Sequence, residues 1–228
     1  MNIATRLRTY LVTQDDLTDG RGTIRTVEAA IEGGIGIVQL REKHASARER
    51  LEMGRAVREL TREANVPLLV NDRVDLASAI AADGVHLGDD DLPVEVARAQ
   101  LGEDRIVGRS VSTPTAARQA ERAGADYLGV GAIYQTGTKD TTAESTEIGL
   151  ERVAAIAAAT SLPIVGIGGV TAANASEVIR AGADGVAVVS AITAAEDPTA
   201  ATRALRSAVD EGATVPDGGV ADEEVAVR

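Results

Sequence analysis

The feature that most constrains this sequence is the alternation of short β-branched apolar runs with longer, alanine-rich amphipathic stretches. A polar turn separates the two in each unit, and the unit occurs eight times before residue 210. A strict β-α alternation predicts a parallel sheet, and eight units are the number that closes into a (β/α)8 TIM barrel. An open doubly wound sheet is the alternative. The predicted strands are Thr9–Thr13, Gly36–Leu40, Pro67–Asn71, Gly84–Leu87, Arg105–Ser110, Tyr127–Val130, Pro163–Ile167 and Gly185–Val189.

The chain is long enough for one barrel, although its length of 228 residues alone also allows two smaller domains. We therefore predict a single α/β barrel domain over residues 1–209. From 210 to 228 the sequence is rich in Gly, Asp and Glu and has little periodicity, which predicts an acidic, disordered tail. The helical patterns lie at 23–33, 45–64, 74–81, 93–101, 113–123, 148–159, 171–181 and 198–209.

The charge balance excludes several classes of partner. Thirty-five acidic residues against 23 basic ones give a net charge of −12, which argues against nucleic acid and against an anionic membrane surface. Together with the absence of Phe, Trp and Cys, this indicates a surface adapted to high salt and no thiolate chemistry. No apolar stretch is long enough for a membrane helix or a signal region, so we expect a soluble, cytoplasmic protein. A homo-oligomer is compatible with the sequence.

Only two of the 23 basic residues are lysines, Lys43 and Lys139. Lysine is a compact point charge on a flexible stem that reaches phosphate oxygens in a tight site, whereas arginine is a broad fork. Survival of the two lysines by chance is the alternative. Their retention favours a role at an anionic ligand.

Polar residues cluster where the predicted strands end. In a barrel these positions share one rim, which is where active sites form. Gln39, Arg41 and Lys43 follow the second strand, and Asn71, Asp72 and Arg73 follow the third. The later strands add His86, Asp89, Asp90, Asp91, Ser110, Thr136, Thr138, Lys139, Gly168, Gly169 and Ser190.

The acidic members of this cluster suit Mg²⁺, which takes one or two carboxylates together with substrate phosphates. Asp72 and Asp91 are the favoured pair, while Asp89 and Asp90 could equally cap the helix that begins near Pro93. Arg73 could pair with Asp75 or Asp72.

The basic members suit a diphosphate. Arg41, Lys43 and Lys139 could surround it with charge-assisted hydrogen bonds. Gly168-Gly169 and Ser190 occupy the position of the backbone-lined phosphate site that barrels build after strands seven and eight. Two phosphorylated substrates in one barrel mouth are therefore indicated. His86 is interpreted as a hydrogen-bonded core histidine and not as a general base.

Taken in order, these residues resemble the thiamine-phosphate synthase (thiamine-phosphate diphosphorylase) family over about residues 9–193. The matching motifs are Tyr10-Leu-Val-Thr13, Val38-Gln-Leu-Arg-Glu-Lys43, Leu69-Val-Asn-Asp-Arg-Val-Asp75, Gly84-Val-His-Leu-Gly88 with Asp91-Leu-Pro93, Thr136-Gly-Thr-Lys139, Pro163-Ile-Val-Gly-Ile-Gly-Gly169 and Gly185-Val-Ala-Val-Val-Ser190.

The resemblance implies an enzyme of thiamine biosynthesis. It would join 4-amino-2-methyl-5-hydroxymethylpyrimidine diphosphate to 4-methyl-5-(2-phosphoethyl)thiazole and release diphosphate before the thiazole nitrogen attacks. Asp72 and Asp91 would ligate Mg²⁺, and Thr136, Thr138, Gly168, Val189 and Ser190 would hold the thiazole phosphate. Lys139, Ser110, Arg41 and Lys43 would be the catalytic residues. The pyrimidine diphosphate would be held by Gln39, Arg41, Lys43, Asn71, Ser110 and Lys139.

Three positions depart from the family pattern. Asp89 replaces a usual Gln and could add a metal ligand, Ser112 replaces a usual His, and Tyr134-Gln135 replaces a common Phe-Pro. A thiazole tautomerase-like relative, a sugar-phosphate isomerase or epimerase, and a ligand-sensing barrel without turnover remain the alternatives. Asp72, Asp91 and Lys139 together argue against the tautomerase.

Overall fold

The computed structural model describes residues 3–135 and 148–214. The strands of this part of the chain form a closed parallel barrel in sequence order, so the predicted TIM barrel is confirmed and the open sheet is wrong. The barrel closes where Leu11 of the first strand pairs with Val188 of the last. The strands are β1 Thr9–Val12, β2 Ile37–Leu40, β3 Leu68–Asn71, β4 Gly84–Leu87, β5 Ile106–Val111, β6 Tyr127–Val130, β7 Ile164–Ile167 and β8 Gly185–Val188.

Helices follow the strands around the outside of the barrel. The N-terminal segment Ile3–Leu7 is also helical, which the sequence analysis did not predict, and a single 3-10 turn covers Asp15–Leu17. The helices are α1 Ile3–Leu7, α2 Thr23–Gly33, α3 Ala47–Glu63, α4 Val74–Ala79, α5 Val94–Leu101, α6 Pro114–Arg122, α7 Gly149–Ala157, α8 Ala175–Arg180, α9 Ser190–Thr193 and α10 Pro198–Thr214.

The last helix extends beyond the predicted end of the barrel domain at residue 209. Asp210 forms an ion pair with Arg8, with 2.6 Å between Nη2 and Oδ1. Gly212 lies so close to α8 that a Cβ there would be 2.8 Å from the Cβ of Ile179. Residues 210–214 are therefore part of the folded barrel, and 215–228 lie outside the described residues. No described helix is long and apolar enough to cross a membrane.

Two apolar layers stabilise the barrel. The inner one fills the barrel with side chains such as Tyr10, Leu69, Tyr127 and Val165. The outer one packs the opposite faces of the strands against the helices. Because both faces of the sheet are covered, the strands are apolar almost throughout, which explains why short continuous apolar runs marked them in the sequence.

Three aspartates that recur in the Ala-Asp turns before β4, β6 and β8 have one structural role at the bottom of the barrel. Asp83, Asp126 and Asp184 each accept the backbone N–H at the start of the preceding strand, at 2.7–2.8 Å. These hydrogen bonds connect β3 with the start of β4, β5 with the start of β6, and β7 with the start of β8. The repeated sequence motif is thus a strand-pairing device on the face opposite the site.

Candidate functional site

A cavity of about 170 Å³ opens at the C-terminal ends of the strands, and all eight strands contribute to its lining. Val12, Val165, Ile167 and Ala187 provide much of its apolar wall. The predicted substrate-binding residues that line it come from different strands and loops, so the barrel brings together what the sequence separates. They are Gln39, Arg41, Asn71, Ser110, Gly168, Val189 and Ser190.

The loop after β2 is held in place by a buried carboxylate. Glu42 is only 6% exposed. It accepts hydrogen bonds from the hydroxyls of Thr13 (2.7 Å) and Thr23 (2.9 Å) and from the backbone N–H of Asp15 (2.9 Å). A carboxylate with this many donors is adequately compensated for burial. The sequence analysis assigned no role to Glu42, so its anchoring role was missed.

Arg41 and Lys43 flank this anchor and provide positive charge near the cavity. Arg41 borders the cavity, and its Nη1 donates to Oε1 of Gln14 at 3.1 Å. Lys43 is exposed and lies beside the cavity rather than in its lining, and its carbonyl oxygen accepts from Arg50 at 2.7 Å. Both cations act electrostatically on Asp72.

Asp72 and Asp91 meet outside the cavity lining, in the segments that follow β3 and β4. Asp72 follows β3 in the left-handed region, with φ of 63°, and its backbone N–H donates to the carbonyl oxygen of His86 at 2.9 Å. Asp91 accepts from the N–H of Gly88 at 2.6 Å. Burial, and then the hydrogen-bonded, like-charged Asp91, raise the pKa of Asp72 to about 6, although Lys43 and Arg41 oppose this rise.

Two carboxylates in contact fit a divalent cation. Burial is the largest cause of the raised pKa of Asp72, and repulsion between its charge and that of Asp91 adds to it when neither a cation nor a proton lies between them. Within residues 3–135 and 148–214, no group of three acidic, His or Cys side chains converges. The pair therefore suits Mg²⁺, which keeps several waters or substrate phosphate oxygens beside one or two carboxylates.

The rest of the acidic run has other partners. Asp89 forms an ion pair with Arg109 at 2.9 Å, and its side chain is 81% exposed. The residue before α5 is Pro93, which provides no side-chain cap, and the interpretation that the charges of Asp89 and Asp90 favour the start of this helix stays a prediction. Arg73 pairs with Asp75 through two hydrogen bonds, in which Nε donates to Oδ1 at 2.7 Å and Nη2 donates to Oδ2 at 2.5 Å.

Loops seven and eight approach the cavity through backbone rather than bulky side chains. Gly168 has φ of 99°, and a Cβ there would be 2.6 Å from Cα of Ala132. At Gly169 a Cβ would be 2.8 Å from the carbonyl oxygen of Gln135. Only glycine satisfies both the left-handed backbone and the close packing. The predicted site residues Thr136, Thr138 and Lys139 lie outside the described residues.

A second departure from the family pattern, Ser112, lies outside the cavity lining. Ser112, the residue at the position of a family histidine, is exposed, and its carbonyl oxygen accepts from Arg152 at 3.1 Å. Its side chain is not part of the cavity lining. Any acid–base group of the described cavity must therefore come from another position.

Sequence reasoning missed a hydrogen-bonded group at the floor of the cavity. Tyr10 and Tyr127 are buried, and their hydroxyl oxygens are 2.9 Å apart. His86 lies beside Tyr127 and contacts Ser110. The sequence did contain a signal for this group. The chain has only three aromatic residues, all tyrosines, and two of them lie in predicted strands. His86 is hydrogen-bonded as predicted, but it lines the cavity.

Comparison with known proteins agrees with this geometry. A family model described as thiamine monophosphate synthase matches residues 9–192. The chain is 66% identical over 206 residues to the thiamine-phosphate synthase of Haloquadratum walsbyi, which covers 90% of this chain and 92% of that protein. It is 68% identical over 201 residues to the thiamine-phosphate synthase of Natronomonas pharaonis, with 88% and 94% covered.

Solved structures show the same relationship. The thiamine phosphate pyrophosphorylase of Pyrococcus furiosus superposes with a TM-score of 0.84 at 41% identity and covers 92% of this chain and 99% of its own. A structure described as native KDPGal has a TM-score of 0.68 at 18% identity, which is evidence for the barrel fold alone. The first similarity extends to sequence as well as fold.

Proposed function

Because the chain belongs to the thiamine-phosphate synthase family, we propose that it is a transferase that joins the two halves of thiamine phosphate. The pyrimidinylmethyl group of 4-amino-2-methyl-5-hydroxymethylpyrimidine diphosphate moves to the ring nitrogen of 4-methyl-5-(2-phosphoethyl)thiazole. The products are thiamine phosphate and diphosphate. The observation that carries the proposal is one cavity with cations, a carboxylate pair and a glycine-rich rim around an apolar wall.

The pyrimidine diphosphate occupies the side of the cavity formed by β2, β3 and β5. Gln39, Asn71 and Ser110 offer the amide and hydroxyl groups that match a pyrimidine ring, and all three line the cavity. Arg41 and Lys43 bind the diphosphate, for which charge-assisted hydrogen bonds are strongest. Lys139 is assigned to the same group from the family motif in the sequence.

Asp72 and Asp91 are the Mg²⁺ ligands of the proposal. Their contact, and the burial that raises the pKa of Asp72, favour a cation between them. When bound, the ion would neutralise charge on the diphosphate and so assist its departure. Arg41 and Lys43 stabilise the negative charge that grows on the leaving oxygen, since they already lie at this side of the rim.

The thiazole phosphate is assigned to loops seven and eight. Gly168, Val189 and Ser190 line the opposite side of the cavity, where backbone groups can approach an anion closely. Thr136 and Thr138 complete this half by family resemblance. Holding both substrates in one mouth replaces a bimolecular encounter with an oriented pair.

The two substrates react in a fixed order of bond breaking and bond formation. Diphosphate leaves first with the electron pair of the carbon–oxygen bond, which gives a pyrimidinylmethyl cation. The thiazole nitrogen then donates its lone pair to that carbon, and no proton transfer is required. The apolar wall of Val12, Val165, Ile167 and Ala187 limits water, which would otherwise capture the cation.

The test is a reaction of the purified protein with both substrates, in which thiamine phosphate and diphosphate are measured together. We expect equimolar products that require both substrates and Mg²⁺ and that disappear with excess chelator. Diphosphate release without thiamine phosphate would reject the transfer step. Thiazole isomerisation without the pyrimidine would favour a tautomerase, and binding of both substrates without products would favour a sensor.

A further inference from the structure

We propose that Tyr10, Tyr127 and His86 form a hydrogen-bond relay that orients Gln39 at one end and Ser110 at the other, and thereby positions the pyrimidine substrate. The three are positioning residues, because they act through the side chains at the ends of the relay. The inference rests on the proposed function only for the identity of the ligand. The relay itself is a property of the free protein.

The relay is continuous across the barrel. Gln39 Nε2 lies 2.6 Å from Tyr10 Oη, and Tyr10 Oη lies 2.9 Å from Tyr127 Oη. Tyr127 Oη lies 2.8 Å from His86 Nδ1, and His86 Nε2 lies 3.0 Å from Ser110 Oγ. All four distances are those of good hydrogen bonds. The members come from β2, β1, β6, β4 and β5.

The number of hydrogens in the relay fixes its direction once one link is set. The Gln39 amide donates to Tyr10. Each buried tyrosine hydroxyl both accepts and donates when Tyr10 donates to Tyr127 and Tyr127 donates to His86 Nδ1, and this is the direction of the proposed relay. Neutral His86 then carries its hydrogen on Nε2 and donates to Ser110. The Ser110 hydroxyl hydrogen is left for the cavity.

The relay therefore gives the side chains at its two ends, Gln39 and Ser110, defined hydrogen-bonding roles towards the ligand. Ser110 presents a donor, and Gln39, with one N–H committed to Tyr10, retains its carbonyl oxygen as an acceptor. An aminopyrimidine offers the complementary set, an amino donor and ring nitrogen acceptors. Groups that are oriented before binding lose less entropy when the ligand arrives.

The two tyrosines transmit orientation and not protons. Both are at most 2% exposed. Burial raises the pKa of Tyr10, and burial together with the neighbouring Tyr10 raises the pKa of Tyr127, so both stay neutral across the physiological range. A buried hydroxyl without a partner is costly, which makes every link depend on the next.

Two glycines create the space for the relay. A Cβ at Gly108 would lie within 2.2 Å of Tyr127 Cζ, and a Cβ at Gly129 would lie 2.9 Å from His86 Cε1. Neither glycine has the left-handed backbone that demands glycine. Glycine is therefore required at both positions for steric reasons, because a side chain there would collide with the rings of Tyr127 and His86.

The first test removes single hydroxyls. Tyr127→Phe and Tyr10→Phe keep the ring and break the relay, so the KM for the pyrimidine diphosphate should rise roughly tenfold, the size expected for one lost buried hydrogen bond. The KM for the thiazole phosphate should stay within about twofold, because the relay ends on pyrimidine ligands. Tyr134→Phe is the matched control for the pyrimidine side, since its hydroxyl lies outside the relay and contacts exposed Glu177 at 3.4 Å, and the KM for the pyrimidine diphosphate should stay unchanged.

An equal rise of both KM values, or no rise for the pyrimidine diphosphate, would overturn the proposal. The melting temperature of each variant is measured in parallel. If one tyrosine variant fails to fold, the other still tests the relay, because each substitution breaks the Tyr10–Tyr127 link and one further link that the other leaves intact.

The second test needs no substrate. The chain contains two histidines, His44 and His86, so ¹⁵N-labelled imidazoles give an assignable spectrum. We expect His86 in a single Nε2–H tautomer in the wild type, with loss of that preference in Tyr127→Phe. A tautomer mixture or an Nδ1–H tautomer in the wild type refutes the relay. If the relay spectrum appears but no thiamine phosphate forms, the proposed function fails and the relay stands.

Discussion

Replacing Asp72 with asparagine should stabilise the metal-free protein and remove most of its activity. Asp72 lies against Asp91, and burial with this like charge raises its pKa from 3.8 to about 6. A pKa raised by folding means that the folded protein disfavours the charged carboxylate. The stability that the acid form provides is fully present below 3.8 and is lost as the pH rises through about 6.

The magnitude follows from this difference in pKa. The rise in the pKa of Asp72 from 3.8 to about 6 corresponds to about 3 kcal/mol before solvent screening is considered. Asp72 is only partly buried, so solvent screening reduces the cost to about 1 kcal/mol. For a chain of this size, about 1 kcal/mol shifts the melting temperature by roughly 2–4 °C. The Asp72→Asn protein should therefore melt higher by that amount at pH 8 in chelator, and the gain should vanish towards pH 4.

The assay combines thermal melts with turnover. Mg²⁺ together with inorganic diphosphate should raise the melting temperature of the wild type, because a ligand of the folded state stabilises it. Asp72→Asn should show little of this rise and should lose at least about 10²-fold in turnover, as expected when charge stabilisation of a leaving group is removed. Asp91→Asn should behave in the same way.

Asp90→Asn is the matched control. Asp90 belongs to the same acidic run and is exposed, so both the melts and the turnover should match the wild type. The reasoning fails if Asp72→Asn melts no higher than the wild type at pH 8 in chelator. It also fails if Mg²⁺ with diphosphate stabilises this variant as much as the wild type.

Three further predictions concern the loops and the C-terminus. Lys43→Arg and Lys139→Arg should lose turnover by roughly 10²-fold with nearly unchanged melting temperatures, because a wide guanidinium misplaces its charge, and full activity in both would show that the lysines survived by chance. Glu42→Gln should lower the melting temperature and raise the KM for the pyrimidine diphosphate, since one of its hydrogen-bond donors then meets an amide N–H; an unchanged melting temperature would contradict the anchoring role. Deletion of 215–228 should change neither activity nor melting temperature, and a large thermal loss would show that this segment docks.

The eight β-α units, and with them the expectation of a barrel, could be predicted from the sequence, because strand and helix periodicities are local properties of the chain. The sequence also indicated which polar residues would share one rim, since the carboxyl ends of parallel strands meet at one edge. Gln39, Asn71 and Ser110 were identified in this way. The recurring Ala-Asp turns before β4, β6 and β8 are visible in the sequence, but their role in tying strands is not.

Tertiary structure decided which of the rim residues touch one another. Arg41, Glu42 and Lys43 are adjacent charges in the sequence, yet the middle one is buried on Thr13 and Thr23. Asp89 and Asp91 belong to one acidic run, but Asp89 pairs with Arg109 while Asp91 meets Asp72. Burial of a charge and choice of its partner depend on strand order and register, which local periodicity does not encode.

The relay is the clearest case of this limit. Its links join residues between 24 and 117 positions apart, and two of its members looked like ordinary apolar strand residues. A tyrosine in a strand predicts burial, but the partner of its hydroxyl depends on what the opposite strands place inside the barrel. Barrel closure brings these distant polar atoms to hydrogen-bonding distance, so only the folded chain reveals them.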